Sequence, residues 1–156
     1  FPKCRGRLAW SAVEEDKQKE LQQRHRLLTQ AMVAALGLNG TAKARQTLEK
    51  GLEMAERYGV RYYAGFAQRL LGEMDLKTNP AQSEIHFERS IAVLQEIKAE
   101  NELALAYKSY GRLHKQQNQI AQAKEYLMKA LKIFERLGTL LEPDKVREIL
   151  AELPEA

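Results

Sequence analysis

Three basic side chains in the middle of the chain have a spacing that could bind an anion. Lys108, Arg112 and Lys115 are separated by four and three residues, so on a helix all three project from one face. Arg69, on a neighbouring predicted helix, would extend this row. Such a row can receive an acidic segment or a C-terminal carboxylate through charge-assisted hydrogen bonds. The alternative is a solvated face whose charges only keep the helix soluble, and the sequence leaves both readings open.

The chain contains none of the patterns that mark a catalytic centre. It has no Gly-rich phosphate loop, no Gly-x-Ser-x-Gly elbow, no His-Glu-x-x-His pair and no Cys-His couple. His25, His86 and His114 fall on different predicted helices, and Glu88 lies only two residues after His86, which is the wrong helical spacing for one metal. We therefore expect no catalysis, no metal site and no cofactor. His114 is interpreted as a replacement for an aromatic residue.

Composition and charge restrict the classes of partner. The chain has 156 residues, and its 25 basic and 21 acidic residues are interleaved, for a net charge of +4. Tyr58, Tyr62 and Tyr63 lie apart from the basic row, so we predict no nucleic-acid partner. No apolar run reaches the length of about 18 residues that a membrane span needs. The single Cys4 and the lack of a signal-peptide pattern predict a cytoplasmic protein, and the start at Phe1 rather than Met suggests a piece of a longer chain.

Gly, Pro and Asn residues divide the chain into a series of predicted helices. The first covers Ser11–Leu36, and its half from Glu14 to Arg26 has Leu21 as its only aliphatic side chain. Asn79 is suited to cap a helix that starts at Pro80. The other helices are predicted over Ala42–Tyr58, Arg61–Lys77, Asn101–Gln116, Gln119–Leu137 and Asp144–Leu153. No window alternates as a strand does, so the fold class is all-α.

Three segments of the chain have nearly the same sequence. Ala42–Gly59, Ala81–Lys98 and Ala121–Gly138 start 39 and 40 residues apart. Their small and large residues coincide, at Ala44, Ser83 and Ala123, then Leu48, Phe87 and Leu127, then Gly51, Ser90 and Ala130. Such a period is typical of stacked helical hairpins, which cannot bury their apolar faces alone. We predict an irregular segment over 1–10, an array over 11–138 with hairpins at 11–59, 61–99 and 101–138, and a capping helix over 143–153.

The helix before each repeated segment also matches between units. Ala67–Gly72 aligns with Ala106–Gly111, and each places bulky residues just before a glycine. This arrangement, followed by small residues in the next helix, resembles the tetratricopeptide repeat. Gly72 and Gly111 would let the two helices of a hairpin approach where any side chain would hold them apart.

The resemblance covers Thr29–Leu137 and is strongest over Arg61–Gly138. The period exceeds the standard 34 residues, and the proline that usually closes each unit is replaced by Gln95 or Glu135. In the first unit the glycine position falls near Met32 or Val33, so we expect that hairpin to be degenerate. Long-period repeats of this kind are similar to those in the C-terminal regions of bacterial signalling ATPases, including cyclase-linked and transcription-activator types.

The resemblance implies a right-handed α-solenoid of about seven helices. It would serve as a protein-protein interaction module or scaffold, the partner-binding or sensory-regulatory C-terminal part of a larger bacterial signalling protein. The first helix of each hairpin would then line a groove for a partner protein or peptide. By position, the groove residues would be Phe66, Arg69, Glu73, Leu76, Lys77, Leu105, Lys108, Arg112, Lys115 and Gln116. Glu73 stands where the carboxylate clamp of chaperone-binding members would want a neutral amide, which disfavours that ligand. A homodimer, formed through the N-terminal helix or the solenoid ends, is the alternative.

Overall fold

The computed structural model describes residues 15–17, 19, 20, 23, 26 and 42–155. The described residues between 15 and 26 are helical and exposed, while the rest of the predicted helix over Ser11–Leu36 lies outside the described residues. In residues 42–155 all regular structure is helical, which confirms the all-α prediction. The six helices there are α1 (Ala42–Arg57), α2 (Arg61–Asp75), α3 (Pro80–Glu96), α4 (Glu100–Gln116), α5 (Ile120–Leu137) and α6 (Glu142–Ala151).

The predicted stop signals end the helices as expected. Gly59 after α1 and Gly138 after α5 have φ values of 69° and 70°, the left-handed conformation that glycine adopts without strain. Lys98 takes the corresponding place after α3 with a φ of 57°. These turns return the chain antiparallel to the helix it has just left.

Helix starts are also close to the predicted ones. The Asn79 side chain accepts a hydrogen bond of 3.3 Å from the backbone nitrogen of Gln82, so the predicted cap of α3 is confirmed. Helix α6 begins at Glu142 rather than at the predicted Asp144. Pro143 lies in its first turn, where the missing N–H has no consequence.

The described helices pack mainly in chain order. The closest pairs are α2 with α3 and α4 with α5, so residues 61–137 form two antiparallel hairpins. Helix α1 packs on α2, α3 on α4, and α6 on α5, while α2 also contacts α4. The first helices of the two hairpins are therefore neighbours, which places α2 and α4 side by side.

Glycine allows close approach inside each hairpin. A Cβ atom built on Gly72 would lie 2.7 Å from the Phe87 ring, and one on Gly111 would lie 2.7 Å from Cγ of Leu127. Both distances are shorter than van der Waals contact, so the predicted role of these glycines is confirmed. We refer to them as the helix notches. Gly65, which the sequence analysis did not single out, is a third notch, because its Cβ would lie 2.6 Å from Cγ of Leu94.

Two serines strengthen the contact in the first of these hairpins. Ser83 Oγ donates a hydrogen bond of 2.7 Å to the carbonyl of Gly72, and Ser90 Oγ donates one of 2.7 Å to the carbonyl of Gly65. Both serines are fully buried, so these bonds satisfy hydroxyl groups that burial would otherwise destabilise. The second hairpin has the buried Ala123 at the place of Ser83 and packs without such a bond.

Candidate partner-binding cleft

A cleft opens between the C-terminal end of α2, one face of α4 and the length of α6. Its volume is about 570 Å³, within the range of ligand sites. Five basic and two acidic side chains line it, with an apolar floor. The lining residues are Leu76, Lys77, Lys108, Arg112, Lys115, Gln116, Lys145, Glu148, Ile149 and Glu152. Six of these ten belong to the groove predicted from the sequence.

The basic row of α4 faces this cleft along its whole length. Lys108, Arg112 and Lys115 all line it, as their helical spacing requires. Lys77, from the segment after α2, adds a fourth basic residue on one side, and Lys145 of α6 adds a fifth on the other. The cleft therefore concentrates positive charge between three segments of the chain.

Carboxylates of α6 neutralise part of this charge. Glu142 accepts hydrogen bonds from Lys108 and, at 2.9 Å, from Lys145, while Glu152 accepts one from Lys115. Burial alone would raise the pKa of Glu142, but the two lysine bonds outweigh it and hold the pKa below its ordinary value of 4.5. Glu142 is therefore an ionised bridge between α4 and α6 at neutral pH.

Two cations of the cleft have no such partner. Among the described residues, Lys77 and Arg112 form neither an ion pair nor a side-chain hydrogen bond, and both are exposed. Leu76 and Ile149 supply the apolar floor near them. Gln116 Nε2 donates a hydrogen bond of 2.9 Å to the Leu76 carbonyl, which ties the end of α4 to the end of α2. Lys77 and Arg112 therefore project from segments that a hydrogen bond joins to each other.

The other four predicted groove residues do not line the cleft. Phe66 and Arg69 of α2 are buried, at 5% and 8% exposure, and Phe66 packs in a cluster with Leu48 of α1. The Arg69 guanidinium contacts Glu73 at 2.7 Å and Glu102 at 3.1 Å, and its Cζ lies 5.2 Å from the centre of the Phe66 ring. Leu105 is half-buried against the core. Arg69 therefore does not extend the basic row, because carboxylates of two helices already hold it.

Helix α6 supplies four lining residues that the sequence analysis missed. Lys145, Glu148, Ile149 and Glu152 follow the spacing of one helical face, at steps of three, one and three residues. That pattern is present in the sequence, but a capping helix over 143–153 predicts no contact with the basic row of α4. Only the position of α6 against α4 shows that this face closes the cleft.

The described histidines serve packing and hydrogen bonding. The His114 ring stacks on Tyr126, with ring centres 5.4 Å apart and planes 9° from parallel, and it contacts Tyr110 at 4.3 Å. In the described part of the chain no three His, Cys, Asp or Glu side chains are grouped as metal ligands need. None of the described helices has the length and apolar character that crossing a membrane requires. His25 lies outside the described residues.

His86 is buried where α3 meets α2. Its Nδ1 donates a hydrogen bond of 2.6 Å to Gln68 Oε1, and its Nε2 lies 3.3 Å from the amide nitrogen of Gln82 and 3.6 Å from Asp75. With Nδ1 donating, Nε2 accepts from Gln82, and the ring is neutral. Asp75 is itself held by Arg45.

Folding lowers the pKa of His86 from its ordinary value of 6.5. Burial is the main cause; the nearby Arg45 and Arg89 also lower the pKa, while Asp75 and Glu49 oppose the shift. The unfolded chain therefore binds more protons at His86 just below pH 6.5, so stability rises with pH through that window and is lost as the pH falls.

We expect His86→Gln to flatten this pH dependence. Urea unfolding of the native protein between about pH 5.5 and 7.5 should show a free energy of unfolding that decreases towards acid, because the charged imidazole is disfavoured in the fold. The variant should show a smaller decrease over the same range. An equal decrease in both proteins would mean that His86 does not control it.

Comparison of the chain with protein-family models, curated proteins and solved structures gives no significant match in any of the three. The fold class is all-α, and the candidate site is a basic cleft between paired helices.

Proposed function

We propose that the protein is a helical-repeat interaction module that binds an acidic segment of a partner protein in the cleft between α2, α4 and α6. The observation that carries this proposal is the pair of unpartnered cations, Lys77 and Arg112, held beside an apolar floor. A chain with acidic and apolar side chains would satisfy both features.

The packing of the helices supports a tetratricopeptide-like solenoid as the scaffold. The described helices contact their neighbours in the chain, and α2 contacts α4, as expected when hairpins stack in one direction. Each hairpin is closed by notches at corresponding places, Gly72 in one and Gly111 in the next. In such an array the first helices form one continuous face, and the cleft would lie on that face.

Ion pairs within the chain show that lysines of the cleft bind carboxylates. Lys108 and Lys115 already bind Glu142 and Glu152 of the chain itself. Lys77 and Arg112 line the same cleft without a carboxylate from the chain, so they are the positions left for carboxylates of a partner. Each contact at this exposed site contributes little by itself, so we infer that affinity comes from several contacts made together.

We expect reversal of the two free cations to weaken binding of an acidic peptide by about tenfold or more. The probe is a fluorescein-labelled peptide of four Glu-Ser-Leu repeats, and fluorescence anisotropy measures its affinity for the full chain and for Lys77→Glu/Arg112→Glu. Neither residue has a partner in the fold, so the variant should keep its circular dichroism and melting temperature.

A matched control changes the net charge by the same amount at two positions outside the cleft. Lys124 and Lys132 are exposed on α5, do not line the cleft, and form no ion pair among the described residues. Lys124→Glu/Lys132→Glu should bind the peptide within about twofold of the native chain, apart from a general effect that salt screens. Equal losses in both variants, or no loss in either, would refute the assignment of the cleft.

A further inference from the structure

A second cavity lies on another part of the molecule, between α1, α2 and α3. Its volume is about 430 Å³, enough for a small organic ligand. Ala55, Ala64, Ala92 and Val93 form its apolar wall. It shares no lining residue with the partner-binding cleft, so any ligand there is separate from the proposed partner.

The repeat shows why this cavity exists. Ala64 and Gln68 of α2 correspond to Leu103 and Tyr107 of α4, which lie 39 residues further along. Leu103 and Tyr107 are buried in the core of their own unit, where they fill the corresponding space. The smaller side chains at these two matched positions therefore leave more room beside α2 than the larger ones leave beside α4.

Gln68 presents an unused hydrogen-bond donor to this cavity. The residue is only 3% exposed, and its Oε1 accepts the bond from His86. Its Nε2 makes no hydrogen bond to any described residue, although the side chain lines the cavity. This nitrogen keeps some contact with solvent, so a ligand oxygen can accept its hydrogen bond in place of water.

A positive charge lies beside this donor. Arg89 of α3 also lines the cavity and has no ion-pair partner among residues 42–155. Arg61 also lines the cavity, but it is already paired with Glu96. The one acidic residue among the described residues that line this cavity, Glu56, belongs to α1. Gln68 and Arg89 are therefore the donors of this cavity that have no acceptor among the described residues, and together they match an anionic oxygen group.

We propose that this cavity binds a small carboxylate with an apolar body. The apolar body would lie against Ala64 and the wall around it, and the carboxylate would accept hydrogen bonds from Gln68 Nε2 and the Arg89 guanidinium. Burial of the apolar body of the ligand provides the main driving force for binding. The two donors select a carboxylate over an alcohol.

The test compares octanoate with octan-1-ol, using titration calorimetry on the full chain. Octanoate should bind more tightly than the alcohol by about tenfold, as expected for hydrogen bonds to a charged group. Arg89→Gln should remove most of that difference, and it should not affect folding because Arg89 is exposed. The matched control is Lys129→Gln, at the corresponding position of the next unit, where the lysine pairs with Glu125 at 2.6 Å and lies over the Tyr126 ring.

A second variant tests the position of the ligand without using charge. Ala64→Leu places in the cavity the leucine that the next unit has at the corresponding position, Leu103. This substitution should abolish octanoate binding and raise the melting temperature. Octanoate and octan-1-ol binding equally well would overturn the assignment of the carboxylate. A folded Ala64→Leu protein that still binds octanoate would overturn the site itself, and so would a native chain that does not bind octanoate.

Discussion

Phe87→Ala is expected to reduce the free energy of unfolding by about 4 kcal/mol, in the usual range for removal of a buried phenylalanine. The ring is fully buried and fills the notch at Gly72. It also packs with Leu76, Tyr110 and Leu113, so it joins the α2–α3 hairpin to α4. Its loss would leave a cavity between the hairpins that neither backbone can close without moving. Urea unfolding followed by circular dichroism measures the effect.

Ile85 provides the control for this prediction. It lies on the same helix, two residues before Phe87, and is exposed. Ile85→Ala should therefore change stability by less than about 1 kcal/mol, because little apolar area leaves the core. Comparable losses in the two variants would show that the α3 side chains do not differ in burial as described.

Glu102→Gln is expected to reduce the free energy of unfolding by about 3 kcal/mol. Glu102 and Arg69 are both buried, and the guanidinium bridges Glu102 of α4 to Glu73 of its own helix. Ser109 of α4 also donates a hydrogen bond of 2.7 Å to Glu73. Loss of one carboxylate charge leaves the arginine under-compensated in a site with little water. Urea unfolding at neutral pH measures the change.

An exposed ion pair near the same end of α4 serves as the control. Glu100 contacts Arg136 at 2.6 Å, but both side chains are about half exposed. Glu100→Gln should therefore leave stability almost unchanged. Arg69→Met/Glu102→Leu, which removes both buried charges together, should be much closer to the native protein than Glu102→Gln. A double variant as unstable as Glu102→Gln would show that the charges themselves are not the cause.

The sequence predicts the helices and the hairpin contacts because these depend on local signals. Gly59, Asn79 and Gly138 act within a few residues of themselves, so their effect on helix ends can be read directly. The notches at Gly72 and Gly111 are visible because the repeat sets them in corresponding places. Gly65 was missed because the next unit has alanine there, Ala104, and the comparison shows no second glycine.

The cleft could be predicted only in part, because side-chain partners depend on contacts between units. The spacing of Lys108, Arg112 and Lys115 shows that they share a face. Nothing local shows that Arg69 is held by Glu102, which lies 33 residues further along the chain. The part played by α6 was likewise hidden, since the position of Glu152 beside Lys115 follows from how α6 packs and not from its own pattern.

Both proposed sites depend on hairpins that are closed by the helix notches, and a double-mutant cycle tests this most directly. Gly72→Ala alone should cost about 1 to 3 kcal/mol, because the new methyl group meets the Phe87 ring at 2.7 Å, although alanine favours helices. In a Phe87→Ala background the same change should become neutral or stabilising. The two substitutions would then couple by more than about 1 kcal/mol. Additive effects of the two substitutions would contradict the account.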